Sequence, residues 1–274
     1  MGIEDLRLAL VQTELHWENI DKNIEHFSEL LKGLENVDVV ILPEMFTTGF
    51  TMSPASLAEN MEGKAVSLLK STAVSKKVTI MGSFVCKQGN GFSNRMVVAS
   101  PDGNNSTYDK RHLFRMAQEN ESFSMGNSRT ILELKGWRLM LQVCYDLRFP
   151  VFARNTVDAK GNCAYDAVIY IANWPEKRNF IWKNLIQARA IENQAYCIGL
   201  NRVGVDGNEI NYSGDSRLID PWGKIITELE AGKQQVASFV LVRKVLEEVR
   251  KQFPAFLDSD QFLLIKESTN PTFQ

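Results

Sequence analysis

Apolar residues fall in short unbroken runs, separated by stretches in which they recur with a helical period. Leu6 to Gln12 (LRLALVQ) is a run of the buried-strand type. Ile20, Ile24, Phe27, Leu30, Leu31 and Leu34 then recur at three- and four-residue intervals. This spacing predicts a helix capped by Asn19 and ending near Gly33. Val37 to Leu42 (VDVVIL) is a second buried-type strand, which Pro43 stops. A strand, a helix and a strand in this succession favour a parallel sheet.

The pattern continues with a helix over Lys64 to Lys76 and strands over Val78 to Phe84 and Ser93 to Ala99, with a hairpin turn through Gly89, Asn90 and Gly91. Pro101 to Gly103 makes a turn before a short strand at Ser106 to Tyr108. Lys110 to Ser128 has no period, and long loops inside compact domains often carry function. Strands are expected at Arg138 to Cys144, Ala167 to Ala172, Ala195 to Leu200, and near Ser216 to Ile219, Lys224 to Leu229 and Val236 to Leu241. Helices are expected near Val151 to Val157 and over Phe180 to Asn193, with a short one before a tail over about residues 252–274. No linker and no repeat of fixed period interrupts the chain, so residues 1–274 read as one α/β domain.

Composition narrows the classes of function. Hydrophobic residues make up 44% and charged residues 23%, a balance that sets extensive disorder aside. Lys plus Arg number 31 against 33 for Asp plus Glu, and the net charge of -2 gives no polyanion-seeking excess, so no nucleic-acid partner is expected. No apolar run is long enough to span a membrane, and the acidic N-terminus does not read as a signal peptide, so a cytoplasmic protein is expected. Cys86, Cys144, Cys163 and Cys197 form no CxxC pair, and only His16, His26 and His112 could join them, so no metal site is expected.

In open α/β sheets, ligands gather beyond the carboxyl ends of strands. That rule selects Glu44 after VVIL-Pro43, Lys110 after STYD, Cys144 at the end of LMLQV, and Asn173 with Trp174 after VIYIA. A thiol of ordinary pKa needs a base or a positive field to become a nucleophile. Glu44 can take the proton, Lys110 can face the negative charge, and the backbone N–H of Tyr145 can receive an oxyanion. Each residue also has a plain structural alternative: Cys144 as a small buried hydrophobe, Glu44 as a surface cap, Lys110 as a solvated base. Spacing alone does not bring the three together. Two other readings stand beside this one: a Cys144–His112 hydrolase and a catalytically dead binding protein.

The segments LPEMF (42–46), YDKRHLF (108–114) and VCYDLRFP (143–150) resemble, in order, the glutamate, lysine and cysteine motifs of the nitrilase superfamily of carbon–nitrogen hydrolases. The resemblance continues through ANWP (172–175), ARAIENQ (188–194) and GDS (214–216), and so covers nearly the whole chain. It implies a four-layer α-β-β-α sandwich, a homodimer, no cofactor, and Glu44, Lys110 and Cys144 as the catalytic residues. DKRHLFRMA and CYDLRFPVF look most like the ω-amidase branch, whose members hydrolyse the terminal amide of 2-oxoglutaramate or 2-oxosuccinamate. The same resemblance makes His112 structural. It places a second glutamate seven residues before Gly126, at Glu119, with Glu121 as the competitor.

A 2-oxo acid amide carries a carboxylate, and the resemblance gives Arg148 the task of binding it, against the alternative of an Arg148–Asp146 ion pair. Tyr145 and Trp174 are expected in the substrate pocket wall, with Phe46, Phe114 and Met116 at its mouth. Trp137, Trp182 and Trp222 read as core or turn residues, whereas Trp17 has no assignment. The expected partners are therefore a small amide and water, and the nearest alternative substrates are deaminated glutathione and N-carbamoyl amino acids.

Overall fold

The computed structural model describes residues 3–264. In chain order the strands are β1 (Leu6–Gln12), β2 (Val39–Ile41), β3 (Thr79–Gln88), β4 (Gly91–Ala99), β5 (Asn105–Asp109), β6 (Ile131–Leu134) and β7 (Trp137–Val143). They continue as β8 (Ala167–Ala172), β9 (Tyr196–Asn201), β10 (Val203–Val205), β11 (Asn211–Ser213), β12 (Arg217–Ile219), β13 (Ile225–Glu228) and β14 (Gln235–Leu241). The helices are α1 (Ile20–Leu30), α2 (Pro54–Leu57), α3 (Lys64–Lys76), α4 (Glu119–Ser122), α5 (Pro150–Ala153), α6 (Asn179–Asn193) and α7 (Arg243–Gln252). None is long and apolar enough to cross a membrane.

Two six-stranded sheets form the centre, in the orders β14-β1-β2-β3-β4-β5 and β13-β12-β9-β8-β7-β6. Each holds three parallel strands, β1–β3 or β7–β9, with one antiparallel strand on one flank and two on the other. The two halves thus share one plan, although their sequences show no repeat. Alternation along β1 explains the layering, since successive side chains point to opposite faces of a strand. Leu6, Leu8 and Leu10 join the core shared with the second sheet, while Ala9 and Val11 pack with Phe27 of α1 and Leu69 of α3. On the other side, Trp182, Ile186 and Ala190 of α6 cover the second sheet. Gly199 of β9 permits that approach, since a Cβ there would lie 2.0 Å from Ile186 Cδ1. The result is the four-layer α-β-β-α sandwich.

Several local expectations need correction. The helix expected near Val151 to Val157 is the single turn α5, because Asn155 is held by Asn193 and Tyr165 and Val157 bridges to Cys163. The strand expected over Val37 to Leu42 is only β2, which is preceded by Asp38, whose carboxylate accepts the Arg7 N–H at 2.9 Å where the chain enters the sheet between β1 and β3. The Gly89–Asn90 turn joins β3 to β4 as expected. The aperiodic Lys110 to Ser128 stretch contains a 3-10 turn at Arg115–Ala117 and then α4. Beyond α7 the tail forms a 3-10 turn at Ala255–Asp258, and residues 265–274 of the expected tail lie outside the described residues.

Candidate active site

Four of the candidate residues sit where a strand gives way to a turn. Glu44 lies just past β2, Lys110 just past β5, Cys144 just past β7 and Asn173 just past β8. The backbone there is forced into unusual shapes: Met45, Gln118 and Cys144 have φ of 44°, 57° and 46°, which L-residues seldom adopt. Strain of this kind persists only where surrounding contacts over-determine it. Ser83 supplies such contacts at Met45 and Phe46, its Oγ and carbonyl accepting their N–H groups at 2.9 Å each. Asp146 supplies them at the turn that carries Cys144, accepting from the Val143 N–H at 3.0 Å, Tyr108 Oη at 2.7 Å and the His112 N–H at 2.9 Å.

These turns bring the candidates together. Lys110 Nζ donates to Glu44 Oε1 at 3.0 Å and to both carboxylate oxygens of Glu119 at 2.9 Å, and all three side chains are buried. Glu44 is further held by Asn94 Nδ2 at 2.7 Å and by the Asn173 N–H at 2.7 Å. The Phe114 N–H anchors Glu119 at 2.6 Å. Glu121, the competitor for that position, lies on exposed surface. Gly126 closes the loop over Lys110, its N–H donating to the Lys110 carbonyl at 2.9 Å; a Cβ there would lie 2.1 Å from the Asp109 carbonyl oxygen.

The Cys144 thiol opens into a cavity of about 490 Å³ and donates to the Asn173 carbonyl at 3.8 Å. Burial pushes this thiol well above its ordinary pKa, Glu44 adds to the rise, and Lys110 opposes it. Burial pushes the Lys110 pKa down, but Glu119 and Glu44 outweigh it and hold the ammonium charged. Burial raises the Glu119 carboxyl, with Lys110 and the Phe114 N–H acting against it. Tyr145 occupies the second position of the 3-10 turn Cys144–Arg148, where backbone N–H groups lack partners within the turn.

Tyr145, Arg148 and Trp174 all line the cavity. Arg148 stacks over Trp174, 5.2 Å from guanidinium carbon to ring centroid, and makes no ion pair among the described residues. The alternative pairing with Asp146 is not formed, because that carboxylate is filled by Tyr108, His112 and Val143. His112 is likewise committed: its Nδ1 lies 2.7 Å from Asp146 and its ring stacks on Phe149 at 3.8 Å. It therefore serves the turn and does not line the cavity. Phe114 does line it, but Phe46 is buried against Phe27 in the core, and Met116 is 81% exposed away from it. Trp137 and Trp182 are core residues, and Trp222 sits exposed in its turn.

Sequence reasoning missed three contributors. Trp17 lines the cavity, with no local pattern to announce it. Asn94 points to Glu44 from β4, and only the pairing of β4 with β3 and β5 puts it there. Arg178 lines the cavity from the segment after ANWP, where it looks like any surface arginine. Among the described residues no cluster of His, Cys, Asp and Glu could hold a metal ion.

The chain is similar to known proteins over most of its length. A family model described as carbon–nitrogen hydrolase matches residues 7–251. Omega-amidase YafV of Escherichia coli strain K12 is 44% identical over 261 residues, 94% of this chain and 98% of that protein. The 2-oxoglutaramate amidase of Bacillus subtilis strain 168 is 34% identical over 88% of this chain and 91% of its own. A solved CN-hydrolase superfamily protein of Xanthomonas campestris, crystallised with an arsenic adduct in its active site, is 42% identical and superposes with a TM-score of 0.93 over 96% of this chain and 100% of its own. By its motifs, its double-sheet architecture and these matches, the chain belongs to the carbon–nitrogen hydrolase family.

Proposed function

We propose that the protein is an ω-amidase that hydrolyses the terminal amide of 2-oxoglutaramate or 2-oxosuccinamate to the 2-oxo dicarboxylate and ammonia. The observation that carries this reading is the buried Glu44–Lys110–Glu119 array beside Cys144, in a cavity whose wall also holds the unpaired Arg148. The full-length similarity to omega-amidase YafV and to 2-oxoglutaramate amidase supports it.

In this reading, Glu44 takes the Cys144 proton and the thiolate attacks the amide carbon. Lys110 and the Tyr145 N–H receive the oxyanion, a task worth about 10²- to 10³-fold per donor. The proton held on Glu44 passes to the departing nitrogen, ammonia leaves, and a thioester remains. Glu44 then takes a proton from water, hydroxide adds to the thioester, and the thiol is regenerated with the acid. Glu119 keeps Lys110 charged and aimed. Arg148 grips the substrate carboxylate through two parallel hydrogen bonds, with Tyr145 and Trp174 as walls.

We further propose that the protein works in the cytoplasm, where its four unpaired cysteines stay reduced, and that it is a homodimer. Ile191 of α6 and Trp222 are 52% and 51% exposed, and Ile191 packs against Gly223, so the two lie on one face that a second copy can cover.

The test is ammonia release from 2-oxoglutaramate, glutamine, deaminated glutathione, an N-carbamoyl amino acid and a simple nitrile. Preferential hydrolysis of 2-oxoglutaramate, lost in Cys144→Ala while the circular dichroism spectrum stays native, is the expected result. Preference for another member of the panel, or activity surviving in Cys144→Ala, would overturn the reading.

A further inference from the structure

Besides Lys110 and Arg148, the cavity holds a third cation, which the proposed chemistry does not use. Arg178 is half-buried in the wall, its guanidinium carbon 5.3 Å from the centroid of the Phe114 ring. Like Arg148, it makes no ion pair or side-chain hydrogen bond among the described residues. The two arginines belong to one frame: the Arg178 carbonyl accepts the Trp174 indole N–H at 2.9 Å, and the face of that indole carries Arg148. Phe114, under Arg178, meets Tyr145 edge to face at 5.0 Å.

A guanidinium stacked on a ring uses its face and keeps its N–H donors in the plane, directed past the ring. Stacking therefore orients both arginines without spending their hydrogen-bonding capacity. The acids in the same wall accept from neutral donors: Asp206 from the Asn208 and Ile210 N–H groups and Tyr212 Oη, and Glu18 Oε1 from Thr51. The uncommitted N–H donors of the two guanidiniums are thus open to an acceptor in the cavity. A volume of about 490 Å³ lies within the range that admits drug-sized ligands, so shape alone does not select a five-carbon amide, and charge must.

We propose that Arg178 is a specificity-determining residue that, with Arg148, forms a two-arginine clamp on the 2-oxo acid end of the substrate. One guanidinium takes the carboxylate in bidentate fashion, and the other bridges a carboxylate oxygen to the adjacent 2-oxo oxygen. This deepens the ω-amidase reading and rests on it.

The experiment compares wild type, Arg178→Gln and Arg178→Lys on 2-oxoglutaramate and on 4-oxopentanamide, in which a methyl group replaces the carboxylate. In Arg178→Gln, kcat/KM for 2-oxoglutaramate falls about 10- to 100-fold further than for 4-oxopentanamide, mostly through KM, as expected for losing a hydrogen bond to a charged group. Arg178→Lys restores part of the difference, because it returns the charge without the fork. Equal losses on both amides would make Arg178 a structural residue, and no loss on either would place it outside the substrate's reach; each overturns the clamp. If wild type prefers a different acid amide, the ω-amidase reading fails by itself. The same comparison on that amide and its methyl ester then decides Arg178. A wild-type preference for neutral amides overturns both.

Discussion

Lys110 carries its charge to a buried place in the cavity wall, and two buried carboxylates keep it there. Removing one member of such a group leaves an uncompensated buried charge, which is why the array behaves as a unit. Cys144 feels the same field from the other side. Its thiol is raised by burial and by the Glu44 carboxylate, against the pull of Lys110, so the surroundings favour the thiol over a stored thiolate. Glu44→Gln therefore has two opposite effects. With Glu44 as the base of the proposed mechanism, turnover is expected to fall about 10²- to 10⁴-fold, while the iodoacetamide alkylation profile of Cys144 moves to lower pH because a negative neighbour is gone. Alkylation rates measured across about pH 6 to 9 check this; a profile that moves upward in the variant would show that Glu44 does not face the thiol. At this scale the sequence was most legible, since the three motif residues stand at strand ends. Asn94, Trp17 and Arg178 were not, because nothing local distinguishes an arginine in a cavity wall from one in solvent.

Strands and helices hold these residues in place through a few shared anchors. The clearest lies at the opposite end of the second sheet from Cys144, where the buried Asp166 at the start of β8 receives Arg138 from β7 and Arg243 and Arg250 from α7. Burial alone would raise the Asp166 carboxyl, but these guanidiniums overcome it and hold it below the usual range. A depressed carboxyl pKa contributes stability that is complete above the unfolded value near 4 and disappears as pH falls through the folded value. Asp166→Asn is expected to cost about 3–5 kcal/mol at pH 7, and the gap between variant and wild type shrinks below about pH 4. Urea midpoints at pH 7 and pH 3 measure it; a gap independent of pH would mean that packing, and not charge, is what Asp166 supplies. Most of the regular elements followed from periodicity. The shortened α5 and the brief β2 did not, because Asn155 and Asp38 redirect the backbone through partners far away in the sequence.

Across the whole molecule, a net charge of -2 provides no field to gather anions, so the pull on an acid amide has to come from the cavity itself. The two similar sheets place the candidate residues on both sides of one opening: Glu44 and Lys110 come from the first, Cys144 and Asn173 from the second. The outer face of α6 leaves Ile191 exposed, next to the Trp222 turn. If that face pairs two copies, Ile191→Asp shifts the protein from dimer to monomer in light scattering at micromolar concentration, while wild type stays dimeric. A monomeric wild type would refute the proposed homodimer, and a dimeric variant would place the interface elsewhere.

By itself, the sequence determined the alternation of buried strands and amphipathic helices, the turn chemistry between them, and which thiol, carboxylate and ammonium stand at strand ends. These are local properties, written in periods of two and 3.6 residues. Only the tertiary structure decided that Glu44, Lys110 and Glu119 share one hydrogen-bonded array, and that His112 serves Asp146. It also decided that two unpaired arginines face one cavity. Those outcomes depend on which strands become neighbours, and strand pairing joins residues that no local pattern connects.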